Sequence, residues 1–592
     1  MVDNRKEREA KFKALLARLA GSPLYRQKLS GYGLAGVGLD HIQTLPFTTK
    51  EDLRKAGTFG HLAVEMKDVA HYHESTGTTG EPSASWFTRE DLAAGGRQLK
   101  DCGVRLTADD LVLVRFPYAL ALPAFLMEQA AWLTGAGVVP ASSRTAVTPY
   151  PKVLDLMKRL RVTVLAGLPR EMELLAETAR LRGIAAHQDF PALRAICVAG
   201  ELLGEKRREH IQRLWGVPVF NMYGSTETAN IATMCEYGAM HIVEDDFFVE
   251  VLREDGSGPA ACGEKGFAAV TTLSHQGSPL LRYFNEDMIS VERSLCACGR
   301  TGGKLTHYGR SKDRIRFGGT VLDAWDIQEA VYSLSPVPDA WKMIEQENGL
   351  RALLDFHDAG SRPADELAGV LSARLRVPVT VQIVSDASLL DRVSLANNAP
   401  STKPVYIERR SGSALRPDAS ASMQYLLHLG QRKLADGEFA LARDLFQQAV
   451  TAEARSAEAH AWLAAAYGRL IEAGSMPVKL KLLPLLEQHV SQALELDPSQ
   501  AVARRVNGSR LLYTPESIGG DPAAAAAEFR YCIDRNMDDA DVWVSLGESY
   551  MKLGKPEQAL DAWKEALSRD PGNSRARELL AEASEGNGEM EA

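Results

Sequence analysis

Cysteine is scarce, seven in 592 residues and an odd number, which excludes a disulfide scaffold. Net positive charge is missing as well. Against 68 Lys and Arg stand 77 Asp and Glu, a formal charge of −9, which argues against a general binder of nucleic acid or of anionic membranes. Long apolar runs are absent too. The most apolar stretch, 116–127 (FPYALALPAFLM), has 12 residues between Arg115 and Glu128, whereas a membrane-spanning helix needs about 20. The opening MVDNRKEREAKFK is densely charged and lacks the apolar centre of a signal peptide, so the expectation is a cytoplasmic chain with no membrane segment. No residue class dominates: 45% hydrophobic and 24% charged residues, with 48 Gly and 27 Pro, exclude collagen-like, coiled-coil and fully disordered chains. At roughly 150 residues per domain, the length implies about four domains or subdomains.

What is present changes character twice. Over 1–309, short apolar runs at 111–114, 162–165, 195–198 and 217–220 alternate with helical stretches such as 152–160 and 171–182. This alternation predicts a large α/β domain with largely parallel sheets. Residues 310–410 predict a smaller α+β subdomain, with a helix near 326–334 and strands near 352–356 and 379–384. A polar linker, SGSALRPDAS (411–420), leads into 421–592, which is Ala- and Leu-rich and predicted to be all α.

That last region repeats itself. LGQRKLADGEFALARDLFQQAV (429–450) aligns with LGESYMKLGKPEQALDAWKEAL (546–567), placing Gly430 on Gly547, Gly437 on Gly554 and Phe446 on Trp563. Trp543, Leu546, Gly547 and Tyr550, followed by Pro571, complete a pattern that resembles a tetratricopeptide repeat. The resemblance implies a docking surface for a partner or carrier protein; a plain Ala-rich bundle is the alternative. An offset of 117 residues requires insertions, expected at 477–484 and 513–522.

Chemistry concentrates in a few stretches. In ESTGTTGEP (74–82), Ser75, Thr76, Thr78 and Thr79 interleave with Gly77 and Gly80. Such a loop can wrap an oxyanion with backbone N–H and hydroxyl donors, or be a plain surface loop. It lacks the Gly-Lys-Ser/Thr ending of a P-loop. NMYGSTETA (221–229) follows an apolar run and offers an aromatic, a glycine turn, hydroxyls and a carboxylate at a strand end, the makings of a nucleotide and Mg²⁺ site. RYFNED (282–287) and YGRSKDRIRFGG (308–319) follow. Cys235, His241, Cys296 and Cys298 are candidate zinc ligands. Their spacing is no zinc-finger pattern, and unliganded packing thiols are the alternative. His71, His73 and His307 are read as surface or core groups.

The order and spacing of these four motifs resemble the adenylate-forming superfamily. SPLYRQKL (22–29), LPFTTKEDLR (45–54), AGELLGEKRREHI (199–211) and CACGRT (296–301) look like segments of its phenylacetate-CoA ligase family, over about residues 1–410. The resemblance implies an ATP-dependent acid–thiol ligase of that fold, which activates a carboxylic acid, aromatic in the family, as an acyl-AMP and passes the acyl group to coenzyme A. It implies that Ser75–Gly80 holds the β- and γ-phosphates, that Asn221 and Tyr223 contact adenine, and that Thr226 contacts phosphate. Gly200, Glu201, Gly224 and Ser225 join the nucleotide set, Glu227 is the Mg²⁺ ligand, and Asp287 and Arg310 bind ribose. Lys312 falls at the hinge of the small subdomain, and Lys403 in STKPVYIERR resembles the catalytic lysine, a solvated linker lysine being its alternative. Structural zinc occurs in some relatives. The stretch 115–123 (RFPYALALP) departs from the glycine-rich stretch of phenylacetate ligases, so phenylacetate is not carried over as the substrate. Two alternatives stay open: transfer to a carrier-protein phosphopantetheine or an amine, and a non-catalytic repeat scaffold.

Overall fold

A computed structural model describes residues 5–34, 36–75, 82–100, 102–317, 319–357, 363–384, 387–396, 405–408, 421–535 and 537–588. The chain divides into two compact units, residues 1–254 with 258–421, and 422–592 with 255–257.

The first unit is organised by one twelve-stranded sheet. From one edge run five parallel strands in the order Gly137–Pro140, Leu111–Val114, Val164–Gly167, Ala195–Ala199 and Val219–Ser225. Their side chains alternate between two cores. Val112, Val114, Ala166 and Cys197 pack toward helix Pro123–Thr134, while Leu113, Leu165, Ile196 and Val198 pack toward Tyr150–Leu160, Pro169–Leu181 and Glu205–Trp215. Strands covered on both faces read as unbroken apolar runs, which is why they show in the sequence.

Parallel pairing ends at Val219–Ser225. Ala229–Met234, Met240–Ile242, Gly303–Arg310, Tyr283–Arg293, Gly266–Thr272 and Phe247–Leu252 continue the sheet antiparallel, with Thr48–Thr49 added in parallel to Tyr283–Arg293. The expectation of largely parallel sheets is therefore corrected to a mixed sheet. Short turns join Val219–Ser225 to Ala229–Met234 and Ala229–Met234 to Met240–Ile242, and a short turn permits only antiparallel pairing. The remaining antiparallel strands pair across longer connections or with non-consecutive neighbours.

Residues beyond 310 build a four-stranded sheet, Val379–Ile383, Gly349–Asp355, Ala340–Gln346 and Ile407–Glu408. Its core draws Ile327 and Val331 from helix Ala324–Tyr332, and Leu367 and Leu371 from Ala364–Leu375. This small layer is tied to helix Pro169–Leu181 by ion pairs. The Arg392 guanidinium reaches Glu177 at 2.8 Å and Asp339 at 2.9 Å, and Arg207 donates to Glu173 at 2.8 Å and to the Tyr406 hydroxyl at 2.8 Å. Glu177, Asp339 and His357 also converge, but Arg180 and Arg392 already neutralise that cluster.

Among the described residues of the second unit all regular structure is helical. Successive pairs begin with Ala421–Ala435, Ala457–Ala473, Ala501–Tyr513 and Ala540–Lys552, and Ser574–Gly588 follows. The aligned glycines have a common cause. A Cβ on Gly547 would stand 2.3 Å from Trp563 Nε1, and one on Gly430 2.5 Å from the Phe446 ring, so each glycine lets a partner helix lay an aromatic against it. The stretch 477–484, where an insertion is expected, is helical and lies inside the 21-residue Met476–Leu496. Pro477 sits in the first turn, where its missing N–H costs nothing, and Pro484 lies within the helix. The stretch 513–522 does fall between helices, around a short 3₁₀ turn, Glu516–Ile518. Among the described residues no helix is long and apolar enough to cross a membrane.

Candidate active site

The site forms where the parallel and antiparallel halves of the sheet meet. Val219–Ser225 turns back into Ala229–Met234, and that turn holds Thr226 and Glu227. Gly224 must lack a side chain, because a Cβ would lie 1.8 Å from the Ala229 carbonyl oxygen. Ser225 and Thr228 close the turn through their hydroxyls, 3.0 Å apart.

Glu227 is buried, accepts from Ser83 Oγ and lies 3.8 Å from Lys50 Nζ. Burial opposes its ionisation, but Lys50 and the Ser83 hydroxyl outweigh burial and hold the carboxyl below its ordinary range. Lys50 is pushed down by burial in turn, with Glu227 opposing. Sequence reasoning missed Lys50. It opens helix Lys50–Ala56, whose cap is reciprocal: Thr49 accepts from the Asp52 N–H and Asp52 from the Thr49 N–H. The Thr-x-x-Asp spacing is legible as a helix start; that this start faces Glu227 is not.

Asp287 and Arg310 face each other across adjacent strands. Asp287 accepts from the Tyr223 hydroxyl at 2.7 Å and from Asn285 Nδ2 at 2.9 Å, with Arg310 Nε at 3.6 Å. Burial raises the Asp287 carboxyl, yet His307, Arg310 and Tyr223 together hold it below the usual range. Burial and Asp287 keep the Tyr223 phenol protonated, well above its ordinary value, as a donor must be. His307, read as a surface or core group, is half-buried and packs beside this cluster. Its Nε2 lies 3.7 Å from Asp287 and its ring 4.8 Å from that of Tyr223.

A cavity of about 230 Å³ opens beside Glu227. Its polar lining includes Lys50, Glu74, Ser75, Arg144, Glu201, Thr226, Glu227, Asn230 and Arg310, with Gly200, Gly224 and Ser225, and its apolar lining includes Phe116, Leu122, Leu126, Leu168 and Met222. Asn221 and Tyr223, alternating with Met222 and Gly224 along the strand, do not line it, and Asn221 Oδ1 is buried without a hydrogen-bond partner. Ser75 Oγ accepts from the Ser83 N–H at 2.9 Å. The Glu201 carboxylate meets Arg207 at 3.0 Å. Lys312 lies just past Arg310 in the 3₁₀ turn Ser311–Asp313. Thr76, Gly77, Thr78, Thr79, Gly80 and Lys403 lie outside the described residues.

The four candidate zinc ligands come together with their ligand atoms within 4.8 Å of one another. Cys235 Sγ is 3.9 Å from Cys296 Sγ, and Cys298 Sγ is 3.3 Å from His241 Nε2. Tetrahedral zinc with bonds of about 2.3 Å to sulfur and 2.0 Å to nitrogen needs edges of about 3.8 and 3.6 Å. The donor set fits. Cys235 follows one strand, His241 lies on the next, and Cys296 and Cys298 occupy the turn between Tyr283–Arg293 and Gly303–Arg310.

Known proteins resemble this chain in sequence and in fold. Residues 37–254 match the family model of the AMP-binding enzymes, 427–511 that of regulator of microtubule dynamics protein 1-3, and 540–573 that of the tetratricopeptide repeat. Phenylacetate-coenzyme A ligase of Thermus thermophilus is 28% identical over 339 residues, covering 55% of this chain and 74% of that protein. The Pseudomonas putida phenylacetate-coenzyme A ligase is 27% identical over 388 residues, 61% of this chain and 84% of that protein. The crystal structure of 2-hydroxyisobutyryl-CoA ligase in the postadenylation state with 2-HIB-AMP has a TM-score of 0.62 at 18% identity, covering 69% of this chain and 90% of that one. This is the adenylate-forming fold. The chain carries an AMP-binding domain homologous to the phenylacetate-coenzyme A ligases, followed by a helical region with a tetratricopeptide repeat.

Proposed function

We propose that this chain joins a carboxylic acid to coenzyme A in two steps, forming an acyl-adenylate from ATP and then a thioester. The coarser reading, an AMP-forming acid–CoA ligase, rests on the AMP-binding match and the phenylacetate-CoA ligase homologues. An acid with an aromatic body is the finer reading, supported by the apolar wall of Phe116, Leu122, Leu126 and Met222 and by the substrate named for those relatives.

The observation that carries it is Glu227, a buried carboxylate held ionised at the polar side of an apolar-walled cavity. A carboxylate attacking the α-phosphorus of ATP is already the nucleophile and needs no general base. It needs positive charge where negative charge accumulates, and one such contact is commonly worth about 3–4 kcal/mol. Glu227 would hold Mg²⁺, which supplies charge neutralisation on the phosphates. Lys50 and Arg310 add fixed cations beside it. Thr226 and the loop Ser75–Gly80 offer hydroxyl and N–H donors to phosphate, with Gly200 and Glu201 on the adjoining wall. Asp287 and Arg310 would receive the ribose hydroxyls, and Asn221 and Tyr223 the adenine. Lys403 would deliver a further cation to the adenylation step and leave as the small subdomain, 310–410, turns at Lys312 against the large domain, 1–309. Cys235, His241, Cys296 and Cys298 would hold a closed, structural Zn²⁺ that pins two turns.

A second reading keeps the first step and passes the acyl group to a carrier-protein phosphopantetheine or an amine. The appended repeats favour it, since they could dock that partner. Lys403→Ala tests the assignment. It should abolish acyl-AMP formation and spare thiol transfer from supplied acyl-AMP; equal loss of both steps refutes the role.

A further inference from the structure

The cavity beside Glu227 holds one cation that the adenylation step does not account for. Arg144 lines it together with Phe116, Pro117, Leu122 and Leu126. An arginine is charged at every pH at which proteins work. The buried arginines of this unit are matched: Arg115 with Glu171, Arg170 and Arg207 with Glu173, and Arg282 with Glu250; Arg144 is half-buried. Arg144 has no ion-pair partner among the described residues, and its Nε is buried without a hydrogen bond. A guanidinium whose Nε is sealed from water without a partner is improved by a ligand that supplies an acceptor and a counter-charge.

The turn that carries it is held in place. The Arg115 guanidinium, fully buried, donates through Nη1 to the carbonyl oxygens of Ala141, Ser142 and Thr148 at 3.1, 2.7 and 2.6 Å. Thr148 Oγ1 donates to Ser142 O at 2.7 Å, and the Tyr118 N–H donates to Ser142 Oγ at 3.2 Å. Arg144 itself has a left-handed backbone, φ 58°, a conformation that costs a non-glycine residue about 1–2 kcal/mol. The surrounding bonds offset that cost and fix where the side chain starts.

Its position is remote from the reacting end. Arg144 follows the edge strand Gly137–Pro140, whereas Glu227 follows Val219–Ser225, four strand intervals away. At about 4.8 Å per interval the two strands stand about 19 Å apart. An acid bound between them has room for several bonds between its activated carboxyl and a group at Arg144.

We propose that Arg144 is a specificity residue that receives a second carboxylate, so that the substrate class is a dicarboxylic acid with an apolar, aromatic body. This rests on the acid-activating reading above. The guanidinium takes the distal carboxylate, and the other carboxyl alone is presented to ATP. A monocarboxylic acid of the same shape leaves the guanidinium unpaired, and sites built to pair a buried polar group reject analogues that lack its partner.

The test is ATP–pyrophosphate exchange by the full chain, without coenzyme A, on matched acids: 1,4-phenylenediacetate against 4-methylphenylacetate, and adipate against hexanoate. The wild-type protein should prefer the diacid in kcat/KM by about tenfold or more, and Arg144→Met should shrink that ratio about ten- to hundredfold. Arg144→Lys should keep part of it. A wild-type ratio at or below one overturns the assignment whatever the variants do, as does an unchanged ratio in Arg144→Met. An Arg144 effect that appears only in the KM for coenzyme A also overturns it, and assigns the guanidinium to the acceptor's phosphates. Exchange with no acid at all refutes the acid-activating reading and this assignment with it.

Discussion

Replacing Arg115 by Met tests how the fold holds the acid end of the cavity. Arg115 is 1% exposed, its Nε donates to Glu171 at 2.9 Å, and its guanidinium lies over the Tyr150 ring at 4.9 Å. Methionine keeps most of the volume. It removes the cation beside a carboxylate that is itself 2% exposed, and it strips a shared donor from three carbonyls of the 141–148 turn. Breaking a buried pair on one side costs about 3–5 kcal/mol, while replacing both partners by apolar groups is often close to neutral. Arg115→Met should therefore lose about 3–5 kcal/mol in urea unfolding of the first unit. Arg115→Met with Glu171→Met should recover only the part due to the unpaired carboxylate, because the three carbonyls and the Tyr150 hydroxyl stay without their partners. Because the loosened turn carries Arg144 and adjoins Phe116, the KM for acid should rise more than the KM for ATP in the single variant. A loss under about 1 kcal/mol, or a double variant no more stable than the single one, refutes the clamp.

Zinc should appear near one equivalent in elemental analysis of protein purified without added metal, and Cys296→Ser should lower it; metal-free wild-type protein contradicts the four-ligand site. Gly547→Ala should destabilise the helical unit by about 1–3 kcal/mol, because its Cβ meets Trp563, although alanine is the better helix former by about 1 kcal/mol; a gain in thermal unfolding contradicts the packing. Glu173 has its carboxyl held at about 2 by Arg207 and Arg170 against burial. A depressed carboxyl stabilises the fold above its unfolded value near 4.5, and that contribution, about 3 kcal/mol, is lost as pH falls from about 4.5 toward 2. Burial pushes the neighbouring Glu201 the other way, so the comparison is between wild type and Glu173→Gln: stability should fall less steeply below pH 4.5 in the variant, and parallel curves contradict it.

The sequence is most legible where a single physical cause acts over several adjacent residues. Three of the five parallel strands are marked within about two residues by their apolar runs: 111–114 coincides with Leu111–Val114, 162–165 begins two residues before Val164–Gly167, and 195–198 falls within Ala195–Ala199. The run 217–220 stops five residues short of the end of Val219–Ser225, whose last residues are polar, and the exposed edge strand Gly137–Pro140 is marked by none of these runs. The antiparallel half mixes polar site residues into its strands, as in Tyr283–Arg293 and Gly303–Arg310, and only the fold shows how they pair. The stretch 477–484 is read only as a place for inserted residues; that it is helix follows from the fold, where Pro477 needs no N–H at a helix start. Glu227, Asp287 and Arg310 could be carried over from a motif. Lys50 lies within LPFTTKEDLR, a segment the sequence resemblance covers but gives no role, and His307 and Arg144 are single residues outside the quoted motifs; only topology brings the three to the cavity or beside Asp287.

Acid-dependent exchange of labelled pyrophosphate into ATP, across a panel of aromatic, aliphatic and amino acids, tests the central claim most directly. The account predicts exchange that requires both an acid and Mg²⁺ and that collapses in Glu227→Gln. Stable binding of ATP with no exchange for any acid would contradict it.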